Sequence, residues 1–320
     1  MKKKLIFNAF YSENNTAKIV GIGKNEKHKN SYEFYLKNIF VSLKSAKENN
    51  QDVDVMLITN NKLPEKYNKY FEENGIKILR VPFTHFLMPS QFVWSNAFYK
   101  LNALNYVINN LEYDYYLELD TDTYVPRNLN DLWSECEYDN LLLYNTKHKA
   151  SHPVRKAIME DYEKIFRKKS NVQQWGGEFI CGNKQVLKLF LDKLQEVYNS
   201  IATAGFNVDT NSGDEMLISI AAKSMNILDS GAYIERYWTQ RFYLSSTNWA
   251  NDYVLIWHLP AEKKYGMIEL YDYYEKKRKF PSITNTRKML NLPSTKHFSK
   301  RKFKIYISKF LKKVNWISQY

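Results

Sequence analysis

Hydrophobic and polar positions alternate between two rhythms over the first 125 residues. Leu5–Phe10 (LIFNAF) is a short run rich in aliphatic and aromatic residues, which predicts a strand. In residues 31–49, Phe34, Ile39, Leu43 and Ala46 recur near a 3.6-residue period, a helix ending at Asn49-Asn50. Val53–Asn60 is almost continuously apolar, the pattern of a parallel strand covered on both faces. Pro64 opens a short helix that stops at Asn74-Gly75. A strand over residues 76–82 follows, then a helix over residues 95–110 with Ser95 as its cap, then the strand-like segment YDYYLELDTDTYVP. This β-α-β-α-β-α-β order predicts an α/β domain with a mostly parallel central sheet flanked by helices, whose ligands bind beyond the C-terminal strand ends.

The rhythm changes after residue 150. A helix is predicted over 153–168, then the glycine-bearing stretch WGGEFICGN and a long helix from Lys184 to about Ile201. Residues 207–213 read as a loop, DEMLISIAAKSM as a helix and ILDSGAYIERYW as a strand. No internal repeat interrupts this order. The expected organisation is a body over residues 1–262, with an N-terminal half at 1–125 and a more irregular half at 150–262, followed by a separate region at 263–320.

Charge sharpens that boundary. The 320-residue chain carries a net charge of +13, and residues 263–320 hold 16 Lys/Arg against 3 Asp/Glu, so the body is neutral. From Lys296 onward, Phe303, Tyr306, Ile307, Phe310, Leu311, Val314 and Ile317 recur at helical spacing with lysines largely opposite. A basic amphipathic helix of this kind predicts attachment to an anionic membrane surface. Basic residues interleaved with aromatics also suit nucleic acid, but the body contains no RNA module, so nucleic acid is not the expected partner. The apolar start is broken by Asn8 and is too short for a signal peptide. Two cysteines provide no disulfide framework and fit a reduced compartment. The expected location is therefore cytoplasmic, at the inner face of the membrane. Neither a GxGxxG nor a GxxxxGK[ST] sequence occurs, which removes the dinucleotide and P-loop fingerprints.

Asp120 and Asp122 are the sharpest chemical signal. On a strand, residues i and i+2 face the same side, so this pair presents two carboxylates together at a predicted strand end. Adjacent carboxylates repel unless a cation lies between them, and Mn²⁺ or Mg²⁺ commonly joins such groups to a substrate phosphate. His258 follows an apolar strand, and a neutral imidazole is a suitable third ligand for Mn²⁺. Gly176-Gly177 either lets backbone approach a ligand or forms a tight turn. Glu178 is a ligand-hydroxyl acceptor or a solvated charge. Asp214 and Glu215 either open a helix as cap and first-turn acid or supply a catalytic carboxylate.

YDYYLELDTDTYVPRNL resembles the metal-binding strand of GT-A fold, DxD-containing glycosyltransferases, particularly the retaining galactosyltransferase-like members of family 8. FYKLNALNYV is similar to their helix that carries a basic residue toward the donor, WGGEFICGNKQVLKLF to the small-residue segment beside the donor sugar, and SGDEMLISIAAKSMNIL to their acidic segment before a helix. HLPAEKKYG resembles the H-x-x-G-x-x-K-P-W end motif, with Ala261 in place of glycine and Tyr265-Gly266 in place of Pro-Trp. The resemblance spans about residues 3–265. It implies a GT-A fold and transfer of a hexose from a UDP-sugar to a saccharide or lipid-linked saccharide acceptor of a bacterial surface glycan, with retention. It also implies Asp120, Asp122 and His258 as ligands of Mn²⁺ or Mg²⁺; Tyr11, Lys100, Asp120, Gly177 and Lys264 against the donor; and Asp214 or Glu215 as the catalytic carboxylate. A sugar nucleotidyltransferase and a non-catalytic membrane adaptor are the competing classes.

Overall fold

The computed structural model describes residues 2–13, 31–209, 211, 213–239, 254–292 and 307. Their chain order begins β1 (Lys4–Phe10), α1 (Ser31–Asn49), β2 (Asp54–Thr59), α2 (Glu65–Glu73) and β3 (Ile76–Arg80). It continues with α3 (Tyr99–Asn110), β4 (Tyr115–Leu119), β5 (Thr123–Tyr124), α4 (Asn130–Glu135), β6 (Leu141–Asn145) and α5 (Pro153–Phe166). Then come β7 (Trp175–Asn183), α6 (Lys184–Thr203), α7 (Asp214–Ala222), β8 (Ile227–Asp229), β9 (Ile234–Arg236), β10 (Ile256–His258), α8 (Gly266–Lys277) and α9 (Ile283–Met289).

A seven-stranded sheet runs β3-β2-β1-β4-β7-β6-β8. All its pairings are parallel except those of β7, which runs antiparallel to both β4 and β6. The predicted parallel platform is therefore present, and WGGEFICGN is a reversed interior strand of it rather than a turn. Alternate residues of β1, β2 and β4 enter two cores, one on each face: Ile6, Leu57 and Leu117 on the α1 side, and Leu5, Ile58 and Tyr116 on the α3 and α6 side. Burial on both faces explains the nearly unbroken apolar runs. Gly75, at φ +76°, closes α2 in the left-handed conformation that a side chain disfavours.

Three readings change. Ser95 does not cap α3. Residues Ser95–Phe98 form a 3₁₀ turn and α3 starts at Tyr99, where tertiary bonds take over: Tyr99 donates to the Val81 carbonyl at 2.8 Å and Asn102 Oδ1 accepts from Thr84 N and His85 N. ILDSGAYIERYW is broken at Ser230–Ala232, where Asp229 Oδ1 accepts from Gly231 N at 3.0 Å. Its second part, β9, joins a separate sheet in the order β5-β10-β9, so His258 returns to that sheet and not to the main one.

The third change concerns the boundary at residue 262. Met267, Leu270, Tyr271 and Tyr274 of α8, with Leu290 and Leu292, are buried in the core against α1. Phe40 lies at the centre of this seam, with ring centroids 4.7 Å from Tyr70, 5.3 Å from Tyr271 and 5.3 Å from Tyr274. Residues 266–292 thus belong to the folded body despite their basic composition, their lysines standing outside an apolar stripe. The amphipathic segment from Lys296 lies outside the described residues, apart from Ile307. No described helix is long and apolar enough to cross a membrane.

Candidate metal and donor-binding site

The aspartate pair sits just past the C-terminal end of β4, in a turn between the two sheets rather than on a strand. The turn is pinned from several directions. Asn8, the residue that breaks the apolar run of β1, donates to the Leu119 carbonyl at 2.7 Å. Thr123 Oγ1 lies 2.7 Å from Ser42 Oγ of α1 and donates to the Asp120 carbonyl at 2.9 Å. Asp120 N donates to the Glu178 carbonyl and Leu259 N to the Asp122 carbonyl. Side-chain alternation therefore does not align the two carboxylates; these backbone contacts do.

His258 enters from β10. Its Nε2 lies 3.3 Å from Asp122 Oδ2 and 3.6 Å from Asp120 Oδ2, and one ligating atom from each of the three residues falls within 4.8 Å of the others. Its Nδ1 lies 3.2 Å from Glu178 Oε1. A carboxylate on one ring nitrogen fixes the imidazole so that the other faces a cation. Asp122 is 1 % exposed, and its Oδ1 has no hydrogen-bond partner among the described residues. A buried carboxylate with one unpartnered oxygen, its other oxygen beside an oriented imidazole, fits a hard or borderline divalent ion. Burial alone would raise the Asp122 carboxyl, but the charges of Lys263 and His258 outweigh it and hold it well below the ordinary carboxylate range. Burial opposes protonation of His258, yet Asp122 and Glu178 raise its pKa to about 9.

Two ion-pair nodes surround this centre. Lys100 Nζ lies 2.6 Å from Asp120 Oδ1, 3.1 Å from Asp214 Oδ2 and 2.5 Å from the Gly177 carbonyl oxygen. A Cβ at Gly177 would collide with the Asp214 carboxylate and stand 3.3 Å from Lys100 Nζ, so the missing side chain makes room for this pair. Arg236 of β9 forms the second node, bidentate to Glu178 through Nε and Nη2 at 2.6 and 2.5 Å, and 2.9 Å from Glu215 Oε1. Gln174 Nε2 donates to Glu215 Oε2 at 2.7 Å. Glu178 is 1 % exposed, which excludes the solvated-charge reading.

Gly213 occupies the cap position of α7, with no side-chain cap bond. Asp214 is therefore not a cap: it is buried and turned to Lys100, and burial outweighs that lysine to raise its pKa. Glu118, one residue before the end of β4, is wholly buried, and neither carboxyl oxygen has a hydrogen-bond partner among the described residues. Burial, against the opposing charge of Lys100, pushes its pKa well above the usual range.

Apart from Glu118 and Gln174, these groups open onto one cleft of about 710 Å³. Tyr11, Lys100, Asp120, Asp122, Gly177, Asp214, Glu215 and His258 all line it. Tyr11 packs edge-on against Phe83, centroids 5.4 Å apart, at the end of β1. Lys264 does not line the cleft; Lys263 does, with Nζ 3.2 Å from Asp122 Oδ2. The end motif places the lysine one residue later than the turn after β10 delivers it. Sequence reading missed Arg236, Lys263 and Glu118. Arg236 gives one visible signal, a charge in the middle of a segment read as a strand, and Glu118 gives another, an acid inside an apolar one.

No family model and no curated protein matches this sequence. Solved structures resemble its fold. Galactosyltransferase LgtC in complex with donor and acceptor sugar analogs superposes with a TM-score of 0.51 at 14% identity, over 80% of this chain and 86% of LgtC. An active-site mutant of LgtC gives the same values. Mouse xyloside xylosyltransferase 1 in its apo form matches at 0.49 and 11% identity, over 80% of this chain and 97% of that one. The chain has the GT-A glycosyltransferase fold.

Proposed function

We propose that this protein is a metal-dependent glycosyltransferase that moves a hexose from a UDP-sugar to a saccharide acceptor with retention. The convergence of Asp120, Asp122 and His258 at the end of β4, inside a cleft of the GT-A fold, carries this reading. These three residues would hold Mn²⁺ or Mg²⁺, which when bound supplies a Lewis acid for the departing diphosphate. Glu178 holds the imidazole of His258 in the ligating orientation. Tyr11 offers an aromatic face to the nucleoside, and Lys263 a positive charge at the diphosphate end of the cleft. Asp214 and Glu215 are each engaged by a cation, which suits them to hold sugar hydroxyls in register more than to draw a proton from the acceptor. That arrangement favours retention.

The test is calorimetric titration of UDP, with and without Mn²⁺, into wild type and Asp122→Ala. Metal-dependent UDP binding that vanishes in the variant is expected. Indifference of the wild type to UDP, GDP and CMP under both conditions would overturn the reading. A membrane-linked acceptor follows from the basic segment beyond Lys296. Anionic liposomes should retain the full chain and lose it after truncation at Leu292; equal retention removes that part.

A further inference from the structure

Two ammonium groups flank the aspartate pair, and they are held differently. Lys100 has three acceptors, one for each ammonium hydrogen, and its side chain is 12 % exposed. Lys263 reaches Asp122 Oδ2 at 3.2 Å and passes over the Tyr35 ring, 5.8 Å from its centroid, with 26 % of its side chain exposed. Its backbone is anchored, since the Lys263 carbonyl accepts from Asn38 Nδ2 of α1 at 2.9 Å. The flexible stem therefore pivots from a fixed point at the wall of the cleft.

The charge balance separates the two lysines further. Asp120 and Asp214 share Lys100, while Glu178 and Glu215 share Arg236. Among the described residues, Lys263 is the lysine or arginine paired with Asp122, the more deeply buried of the two aspartates, whose Oδ2 also lies 3.3 Å from His258 Nε2.

We propose that Lys263 is an exchangeable counter-ion: it neutralises Asp122 while no divalent ion is bound and transfers to the diphosphate when ion and nucleotide arrive. The proposal rests on the donor-site reading above. A divalent cation at Asp122 faces an ammonium within a few ångströms, so one positive charge has to give way. With the ion alone, the ammonium has lost its carboxylate, and the next carboxylate acting on it among the described residues, Asp120, belongs to the same ligand set. With a nucleoside diphosphate present, it gains charged oxygens at the same wall of the cleft. Lys263 therefore lowers the affinity for the metal alone and strengthens the coupling between metal and nucleotide, a positioning role distinct from that of a ligand.

Mn²⁺ binding without nucleotide, measured by calorimetry and by the free-Mn²⁺ electron paramagnetic resonance signal, tests this directly. Lys263→Met is expected to bind Mn²⁺ alone about tenfold more tightly than wild type, and then UDP about tenfold more weakly. Lys263→Arg, which keeps the charge, should stay near wild type. Unchanged or weaker Mn²⁺ binding by Lys263→Met overturns the exchange. In the unmodified protein, acylation of the Lys263 amine, followed by peptide mass spectrometry, should quicken with Mn²⁺ and slow again when UDP is added; an indifferent rate also overturns it. Wild type and Lys263→Met that both ignore Mn²⁺, with and without UDP, would sink the donor-site reading along with the exchange. Normal binding insensitive to Lys263→Met sinks the exchange alone.

Discussion

The large and the small sheet meet at Asp120–Asp122 and are held together by different means. The seven-stranded sheet is sealed on both faces by aliphatic and aromatic side chains, and its seam with α1 and α8 is aromatic throughout around Phe40. The three-stranded sheet is short, two or three residues per strand, and delivers His258 and Arg236 into a set of buried charges. Apolar burial is non-directional and tolerates any partner of suitable volume. Buried charges need named partners at fixed distances. The apolar faces of the large sheet therefore supply stability and the charged junction between the two sheets chemistry, and substitutions should separate them.

The largest effect falls on the apolar seam. Phe40→Ala should destabilise the fold by about 3–5 kcal/mol in urea unfolding while leaving the affinity of the folded protein for Mn²⁺ and UDP unchanged. A comparable change in affinity would erase the distinction. Arg236→Met should cost about 3 kcal/mol, because the buried Glu178 loses its bidentate partner and keeps the imidazole of His258. Unlike Phe40→Ala it should also weaken Mn²⁺ binding, by about 10- to 100-fold, since Glu178 orients His258. Gly177→Ala should preserve the fold and lower turnover about tenfold or more, as the new methyl pushes Asp214 from Lys100. Circular dichroism together with donor turnover would check that split.

The smallest effect belongs to the far edge of the large sheet. The hydrogen bond from Lys4 outweighs burial at Asp52 and holds its carboxyl low. At Asp54, burial is outweighed by hydrogen bonds from Lys77 and Tyr113. Both folded pKa values lie below the unfolded value of about 3.9, so their contribution is complete above that pH and fades as pH falls through the folded values. Both side chains are well exposed, at 44 % and 38 %, so solvent screening keeps each contribution below about 1 kcal/mol. Urea midpoints compared between pH 7 and pH 3 should drop less in Asp54→Asn than in wild type; an identical drop would remove this term.

Much of the large sheet was legible because strands buried on both faces leave continuous apolar runs, as in Val53–Thr59, bounded by residues such as Asn74-Gly75. The aspartate pair was legible for a similar local reason, lying where an apolar strand stops. The mechanism that brings the carboxylates together was not. Strand alternation suggested it, whereas the actual device is a turn held by Asn8, Thr123, Glu178 and Leu259, residues scattered over the chain. Lys264 followed from motif spacing, but the turn after β10 points Lys263 at Asp122. Basic composition set α8 and α9 apart, although the apolar stripe of α8 is buried against α1 and α9 packs on α8.

The α/β order, the parallel platform and the chemical character of its acidic end are written in the chain, because these depend on short-range periodicity and on where each apolar run stops. Which cation meets which carboxylate is a matter of folding in three dimensions. Lys100 meets Asp214, Arg236 meets Glu178, and Lys263 meets Asp122 across separations of 114, 58 and 141 positions. Charge pairing depends on distance in space, and no local pattern along a chain encodes that distance.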